Sequence, residues 1–506
     1  MNKKIEKILV YAIEIIFILL LCFLTIESIF KTCKIISGEV TKYLWDNPFI
    51  HIVTISITIG IFILINREKI KLSKKTLWIL IGIWFVISLI WVFTANIYPR
   101  ADQKYIYKIA EQMRSGNFRG FEKGRYMYSN PHQSGLLLYE YILGFIFGSK
   151  NYLALQVVNI LALLGAFYCI YKITRILFKE KKTSVSTIVG LFMFIPLWFY
   201  ISFIYGNIIG LTLSMAGVLF ALKYIENRSI KYIIFSAITI ALAISAKSNY
   251  LITLIAVICI LILDIISNKK WKNIIPIIIL IAVYIIVKLT IPFAVRCITK
   301  TEESKGIPML AYVEMGLENG KRAPGWYNGY NRRVYRKNSY DYDKSSEAVK
   351  RKLNKSVDKF KNNPQYAGEF FYKKTVSQWN NPTFQAFWNN WGKRGKQDRS
   401  LPVKVLCGNN IVNTIIAEYM NILQTIILFG ATAYMIIRFK KNNIKQLTFA
   451  IIFIGGFLFH LIWEAKCQYT ITYFVLLIPY SVKGYIDLSK YIDDKIKNRK
   501  VQKDGR

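Results

Sequence analysis

Acidic residues and histidines are scarce in this chain of 506 residues. It has 29 Asp and Glu against 68 Lys and Arg, and only three histidines, which lie far apart in the sequence. The seven cysteines form no Cys-x-x-Cys motif and show no Cys/His pairing at the spacing of metal ligands. This pattern argues against a structural metal site, and no metal-binding residue is predicted.

The cysteines leave one alternative open. Cys22, Cys169 and Cys259 lie in apolar runs, where a free cysteine is most simply a small core residue. Cys297 and Cys407 flank a long polar region. A disulfide between those two is an alternative that the sequence leaves open, because it does not give their separation.

Long apolar runs are what the chain has in abundance. Hydrophobic residues make up 54% of it, and a run of about 18 or more of them can cross a hydrocarbon core of roughly 30 Å. We therefore predict an all-α polytopic membrane protein, with membrane lipid as a partner. The twelve predicted spans are residues 8–29, 49–65, 76–97, 151–171, 185–203, 208–225, 231–246, 249–266, 274–291, 413–437, 446–463 and 470–488.

The charge distribution predicts the topology. Short loops rich in Lys and Arg are typically cytoplasmic, and with twelve spans every basic cluster falls on one side. Counting residues 136–147 as a further span would break this pattern. That run is also short for a crossing, so we predict that it lies against the membrane. The net charge of +39 suits anionic lipid surfaces or phosphate-bearing substrates. Nucleic acid is not expected, because the basic residues are spread over many loops.

The spans divide the chain into five predicted parts. These are a two-helix membrane segment (1–75), a membrane core (76–291) with an outer loop at 98–150, an extracytoplasmic subdomain (292–410), C-terminal membrane helices (411–490) and a basic cytoplasmic tail (491–506). The subdomain is expected to be mostly helical, with a helix at 345–360 capped by Ser345 or Ser346. In the first outer loop, apolar residues at helical spacing predict a second interfacial helix at 106–113.

Asp102 is the candidate catalytic residue. It follows a membrane span directly, and ionisable groups near membrane helices are costly unless they are wet, paired or functional. Such a carboxylate could deprotonate an attacking hydroxyl. The alternative is a solvated loop residue paired with Arg100 or Lys104. His132 and Gln133, at the start of the membrane-lying run, are candidate substrate-binding residues, and a structural polar contact is the alternative for them.

Three further outer turns carry polar groups. Lys247 ends a span where short loops otherwise lack positive charge, which suits a lipid phosphate, although snorkelling would also explain it. The other candidates are Tyr205 and Asn207 in one turn, and Glu464, Lys466 and Tyr469 in another. Far-separated segments that bring polar groups to one membrane face predict a shared site.

Aromatic residues are dense in the second outer region. From this group we take Trp326 as the candidate residue for stacking on a sugar ring. The alternative is that these aromatics form the core of a small subdomain, which is the more frequent role of such residues.

Taken together, these segments resemble the polytopic GT-C glycosyltransferases that use polyprenyl-phosphate sugars, such as the protein O-mannosyltransferases and the aminoarabinose transferases. The resemblance rests on Asp102 at the start of the first large outer loop, on interfacial helices in that loop, on the turn from Glu464 to Tyr469, and on the stretch Gly325-Trp-Tyr-Asn-Gly-Tyr330.

The resemblance implies inversion at the anomeric carbon with Asp102 as general base. Lys247 and Lys466 would hold the donor phosphate, and Arg100 is a third candidate for that role. Asp102 is followed by Gln103 rather than by a second acid, so the need for a divalent metal stays open and no cofactor is assigned.

The function expected from the sequence is a membrane glycosyltransferase in the plasma membrane of a Gram-positive bacterium. It would act on the extracytoplasmic face and transfer a sugar from a polyprenyl-phosphate donor to an anionic cell-envelope glycopolymer, such as a teichoic acid or wall polysaccharide. The alternatives are a flippase for lipid-linked sugars, which would not need Asp102, and a polymerase that depends on outer arginines such as Arg332 and Arg333.

Overall fold

All twelve predicted spans fall on helices of the computed structural model, which describes residues 2–36, 39–70, 73–268, 274–302 and 304–504. Within these ranges, nine helices are long and apolar enough to cross a membrane. A helix pair bent by 56°, Lys181–Met193 and Ile195–Ser202, forms a tenth span if the pair crosses as one. The shorter apolar helix Ile230–Ala246 and the first part of Ile471–Asp504 match the remaining two predictions. The predicted all-α polytopic fold is confirmed.

The membrane helices, in chain order, are α1 (Asn2–Phe30), α2 (Pro48–Asn66), α3 (Lys74–Ala95), α7 (Tyr152–Phe178), α8 (Lys181–Met193), α9 (Ile195–Phe199), α10 (Asn207–Asn227), α11 (Ile230–Ala246), α12 (Leu251–Asn268), α13 (Ile275–Thr299), α20 (Ile411–Ile437), α21 (Thr448–Ile462) and α22 (Ile471–Asp504). The other helices are α4 (Ala101–Arg114), α5 (Tyr126–Ser129), α6 (Ser134–Phe147), α14 (Leu310–Gly316), α15 (Tyr330–Lys337), α16 (Tyr342–Asn362), α17 (Pro364–Trp379), α18 (Ala386–Asn389) and α19 (Leu401–Cys407).

Small residues let the membrane helices approach closely. An added Cβ on Gly484 of α22 would collide with the backbone carbonyl of Gly430 on α20, so only glycine permits this contact. Close backbone approach through small residues is the usual basis of helix packing in membranes. By contrast, α13 exposes apolar side chains such as Ile286 and Leu289, which is typical of a lipid-facing helix.

Basic segments meet at one end of the helices, as the charge pattern predicts. Lys483 on α22 lies 2.8 Å from both Glu180 and Asp487, and Arg438 lies 2.8 Å from Asp487. These pairs join the α7–α8 turn, the end of α20 and the middle of α22. We call this the basic end and the opposite one the outer end. The basic loop at Lys269, Lys270 and Lys272 lies outside the described residues.

The first outer loop folds as two packed helices. Ile106, Ile109 and Met113 on α4 are buried against Met127 and against Leu137 on α6. The other side of α6 exposes its apolar residues Ile142, Phe145 and Ile146. Helix α6 therefore has the apolar outward face expected of a segment that lies against a membrane.

The structure also contains a β-hairpin that the sequence reading did not anticipate. Strands β1 (Lys31–Ile36) and β2 (Val40–Trp45) pair antiparallel directly after α1. The amide of Cys33 donates to the carbonyl of Asn380 at 2.9 Å. This hydrogen bond fixes the hairpin to the segment 292–410, which we call the outer region. Strands this short have little periodicity of their own, which explains why the sequence did not reveal them.

Two finer predictions need correction. Helix α16 begins three residues earlier than expected, because the carboxylate of Asp341 accepts from the Lys344 amide at 2.9 Å and caps it. Ser345 lies inside the first turn, where its hydroxyl donates to the Asp341 carbonyl. Cys297 and Cys407 are free thiols, so the disulfide alternative is not realised.

Candidate active site

A cavity of about 280 Å³ opens at the outer end of the membrane helices. Its walls come from the hairpin turn, the start of α4, the turns before α10 and α12, the outer region, and the turn between α21 and α22. It contains eight of the eleven side chains predicted for the site: Asp102, His132, Gln133, Tyr205, Lys247, Glu464, Lys466 and Tyr469. The predicted convergence of separate outer segments is therefore present in the structure.

Asp102 lies in the first turn of α4, where an acidic side chain is favoured by the helix dipole. Its Oδ1 accepts a hydrogen bond of 3.1 Å from Nη2 of Arg332 on α15. Neither Arg100 nor Lys104 is its partner, so the alternative of a local ion pair is not realised. The two side chains are 41% and 49% exposed, and the pair is therefore accessible from the cavity.

Lys247 brings an isolated cation into the same cavity. It follows α11 in an extended conformation, with Nζ 3.9 Å from the centre of the Tyr205 ring and 5.9 Å from that of Tyr469. Among the described residues it makes no ion pair with a carboxylate. Burial lowers the pKa of Lys247 to about 7, partly offset by the charge of Asp102. An anionic ligand would restore the charged form.

Glu464 and Lys466 face the cavity from the turn between α21 and α22. Their charged atoms lie 3.9 Å apart, and Lys466 Nζ is 5.3 Å from the centre of the Tyr327 ring. Burial raises the pKa of Glu464 to about 7, although Lys466 opposes this shift. Lys466 is thus only loosely paired and can contact a second anion.

The buried side chain of Lys374 on α17 supports this turn. Its Nζ donates to the carbonyl oxygens of Gly316, Leu461 and Trp463 at 2.6, 2.8 and 2.8 Å. Three acceptors match the three protons of an ammonium group. The Trp463 ring in turn stacks on Tyr312 with centres 5.5 Å apart. The cavity wall beside Glu464 is therefore fixed from behind.

His132 and Gln133 form a polar edge near Tyr205. The Gln133 amide donates to the Tyr205 hydroxyl at 2.9 Å and lies 3.3 Å from His132 Nε2. Burial lowers the pKa of His132 to about 4. This histidine is therefore neutral at physiological pH and can offer hydrogen bonds but no charge.

Three predicted site residues lie elsewhere. Arg100 donates to the Trp388 carbonyl at 2.7 Å and its guanidinium lies 3.9 Å from the centre of that ring, so it packs behind the cavity. Trp326 is fully buried and donates to Ser377 at 2.9 Å, as a core residue beneath the Glu464 turn. Asn207 lies in a narrower groove next to the cavity.

That groove runs between α10, α12, α21 and α22. It has a volume of about 20 Å³ and shares Lys247, Asn249 and Tyr469 with the main cavity. Its other walls include Met215, Ile252 and Leu476, as well as several hydroxyl groups. A narrow groove with both polar and apolar walls thus adjoins the cavity on the side of the helix bundle.

Several cavity residues were missed from the sequence. Glu39 at the hairpin turn forms an ion pair with Arg322, and Tyr126, Tyr312 and Asn331 also face the cavity. Tyr327 and Trp388, which belong to the aromatic group considered for sugar stacking, face it as well. Apart from Arg332, which we considered only for a polymerase, no local pattern marked the missed residues. Within the described residues, no group of three or more His, Cys, Asp or Glu has the arrangement of a metal site.

Comparison with protein families gives a match to part of the chain. Residues 138–293, about a third of the chain, are similar to the family described as dolichyl-phosphate-mannose-protein mannosyltransferase. The matched segment runs from α6 into α13 and includes Tyr205, Asn207 and Lys247, whereas Asp102 and Lys466 lie outside it.

Among solved structures, the chain is similar to the archaeal oligosaccharyltransferase AglB from Archaeoglobus fulgidus, which was solved with an inhibitory peptide and a dolichol-phosphate. The TM-score is 0.43 and the identity 14%, over 84% of this chain and 51% of AglB. The chain therefore spans about half the length of that protein. No curated protein sequence matches it.

Proposed function

We propose that this protein transfers a sugar from a polyprenyl-phosphate donor to a hydroxyl group of an extracytoplasmic acceptor. One observation carries the proposal: a single cavity contains the accessible carboxylate of Asp102 together with the cations Lys247, Arg332 and Lys466. A carboxylate can accept the proton of an attacking hydroxyl, and cations can stabilise a phosphate leaving group.

Lys247 and Lys466 are the proposed donor phosphate ligands. Lys247 has no carboxylate partner among the described residues, and Lys466 lies 3.9 Å from Glu464, so both can turn to an incoming phosphate. The groove that shares Lys247 with the cavity has room for about one water molecule, so the lipid chain would have to lie elsewhere or widen it. Tyr205, Tyr469 and Gln133 would then contact the sugar by stacking and hydrogen bonding.

Asp102 is the proposed general base. The acceptor hydroxyl would displace Arg332 from one carboxylate oxygen and pass its proton to Asp102 as it attacks the anomeric carbon. The bond from that carbon to the phosphate oxygen breaks, and the polyprenyl phosphate leaves with the electron pair. Attack from the face opposite the phosphate inverts the anomeric configuration.

The acceptor and the location follow from charge. The short loops at the outer end lack the basic clusters that mark a cytoplasmic side, and long loops are exempt from that rule. We therefore propose a bacterial plasma membrane with the cavity facing outward. The acceptor is an anionic cell-envelope glycopolymer, such as a teichoic acid or wall polysaccharide, because the cavity and its surroundings are rich in arginine.

A polymerase that extends a growing glycan is the second candidate. Arg332, which that alternative required, lies in the cavity beside Asp102. The two functions differ in their products, because a polymerase would yield a ladder of lengths and a transferase a single addition.

The deciding test is Asp102→Asn in proteoliposomes that contain a radiolabelled polyprenyl-phosphate sugar and a wall-polymer acceptor. We expect transfer to fall by about 100-fold or more, the usual effect of losing a general base. Asp358→Asn is the matched control, because Asp358 is exposed on α16 and does not face the cavity. Full transfer by the Asp102 variant would disprove the base assignment, and movement of unmodified glycolipid without a new glycosidic bond would identify a flippase.

A further inference from the structure

A second cavity, of about 330 Å³, adjoins the first. The two share Tyr105, Tyr126, Asn130 and Arg332, so a molecule extending through both would pass Asp102. All residues around the second cavity belong to the first outer loop or the outer region rather than to membrane helices. A ligand bound there therefore lies outside the lipid-facing part of the protein.

Among the residues that the structure describes, four arginines and no acidic residue face this second cavity. They are Arg125, Arg332, Arg333 and Arg336. Arg332 pairs with Asp102, Arg125 lies 3.9 Å from Glu122, and Arg333 donates to the Asn328 carbonyl at 2.6 Å. Arg336 forms no ion pair within the described residues. We call this set the arginine groove. Guanidinium groups bind phosphate and carboxylate in bidentate fashion.

Helix α15 concentrates this charge on one side. Its Val334 and Tyr335 are buried in a cluster with Ile307, Ala311 and Val349, which turns the three arginines of the helix outward. Arg332 and Arg336 are four residues apart, and like charges at that spacing destabilise a helix. Asp102 offsets the charge of Arg332, and the helix dipole favours Arg336 in the last turn. Arg333 and Arg336 have no carboxylate partner among the described residues, so an anionic ligand would neutralise them.

Tyrosines supply flat surfaces between the charges. Tyr105 and Tyr126 stack with centres 5.2 Å apart at the boundary of the two cavities. Tyr340 packs against Gly124, where an added Cβ would lie 3.0 Å from the tyrosine hydroxyl. Ser339 and Tyr340 both have positive φ, 54° and 61°, a conformation that non-glycine residues adopt only when their surroundings hold it. Alternating tyrosines and arginines suit alternating sugar rings and anions.

The positive surface continues outward beyond the arginine groove. An open third cavity shares Tyr335 and Tyr340 with it and is surrounded by lysines at positions 123, 305, 337 and 344. Two acids also lie there, but Asp341 caps α16 and Asp343 lies 3.5 Å from Lys305. A positively charged path thus leads from Asp102 to the protein surface.

We infer that the arginine groove binds the acceptor as a polymer with an anionic group in each repeat unit and guides its terminal hydroxyl to Asp102. The direction of the bound polymer, with its terminal hydroxyl at Asp102, rests on the proposed transfer function. The binding itself requires only the charge and shape of the groove. A single lipid headgroup would fill one cavity but not the continuous path.

The test measures binding and not catalysis. The full chain in phosphatidylcholine nanodiscs is titrated with a fluorescent glycerol-phosphate decamer, and a neutral dextran oligomer of similar length is the comparison probe. We expect the Arg333→Gln/Arg336→Gln double variant to weaken decamer binding by about tenfold or more and to reduce its salt dependence. Dextran binding should not change.

Lys350→Gln/Lys355→Gln is the matched control, because it removes the same charge from exposed positions on α16 that do not face these cavities. Its decamer affinity should stay within about twofold of the unmodified protein. Arg333→Lys/Arg336→Lys should keep most of the binding, which separates loss of charge from loss of folding. Arg125→Gln is a second test, in which a single substitution removes a positive charge from the opposite wall of the arginine groove.

Equal decamer binding by the Gln and control variants would overturn the inference. So would competition of the decamer by a soluble short-chain phosphatidylglycerol at equal phosphate concentration, because this would indicate a headgroup site. The outcome is separable from that of the proposed function. If Asp102→Asn stays active while Arg333→Gln/Arg336→Gln loses decamer binding, the base assignment is disproved and the inference about the groove holds. If Asp102→Asn is inactive while Arg333→Gln/Arg336→Gln binds the decamer normally, the base assignment holds and the inference is overturned.

Discussion

Arg332 Nη2 lies 3.1 Å from Asp102 Oδ1, although 230 residues separate the two in sequence. This contact joins the first outer loop to the outer region across the cavity. The arginine orients the carboxylate and must release one of its oxygens when an acceptor hydroxyl arrives.

Arg332→Gln should therefore lower the rate of sugar transfer by about 10- to 100-fold, because Asp102 loses its orienting partner. Arg332→Lys keeps the charge but not the planar geometry. Its transfer rate should therefore lie between those of the unmodified protein and Arg332→Gln. Initial rates at saturating donor provide the measurement. Arg351→Gln, an exposed arginine on α16 beside Glu347, is the control and should retain full activity. A Gln variant as active as the control would show that the pair is structural only.

Donor binding should depend on pH through Lys247. Its pKa is lowered to about 7 by burial in the free protein, and a bound phosphate favours the ammonium form. Affinity for the polyprenyl phosphate should therefore be highest below pH 7 and decline as the pH rises. Glu464, with its pKa raised to about 7, becomes negative over the same interval and acts in the same direction.

Variants separate the two groups. Lys247→Arg should remove most of the decline up to pH 9, because a guanidinium stays charged. Glu464→Gln should still show the part of the decline in affinity that comes from deprotonation of Lys247. Dissociation constants for polyprenyl phosphate between pH 6 and 9 are the measurement. If the affinity of Lys247→Arg for polyprenyl phosphate still declines steeply with rising pH, Lys247 is not a ligand of the donor phosphate.

Lys374 should be needed for the shape of the cavity and for stability. Replacement by Met leaves the carbonyls of Gly316, Leu461 and Trp463 without their donor in a buried setting. Each such loss typically costs about 1–3 kcal/mol, so the free energy of unfolding should fall by about 3 kcal/mol in total. Thermal unfolding in detergent tests this.

The neighbouring Lys373 offers a matched control for that variant. It lies on the same helix, is half-exposed and pairs with Glu369, so Lys373→Met should change stability by less than about 1 kcal/mol. If both variants unfold at the same temperature, the three carbonyl contacts of Lys374 do not stabilise the turn.

The sequence by itself determined the membrane part of this protein. Whether a segment crosses a bilayer depends on its own length and hydropathy, and the sign of its flanking charges sets the orientation. These are local properties, so all twelve predicted spans fall on helices, and Asp102, Lys247, Glu464 and Lys466 were placed at the same end of them. The break between α8 and α9 lies inside an apolar run next to Pro196, a signal that a prediction from hydropathy alone does not use.

Only the tertiary structure decided which polar groups meet. Arg332 rather than Arg100 pairs with Asp102, Glu39 reaches the cavity from a hairpin, and Trp326 is a core residue instead of a sugar contact. Each outcome depends on how an outer segment packs against parts of the chain hundreds of residues away. The outer region has no bilayer to restrict it, so its arrangement follows from long-range packing that no local periodicity encodes.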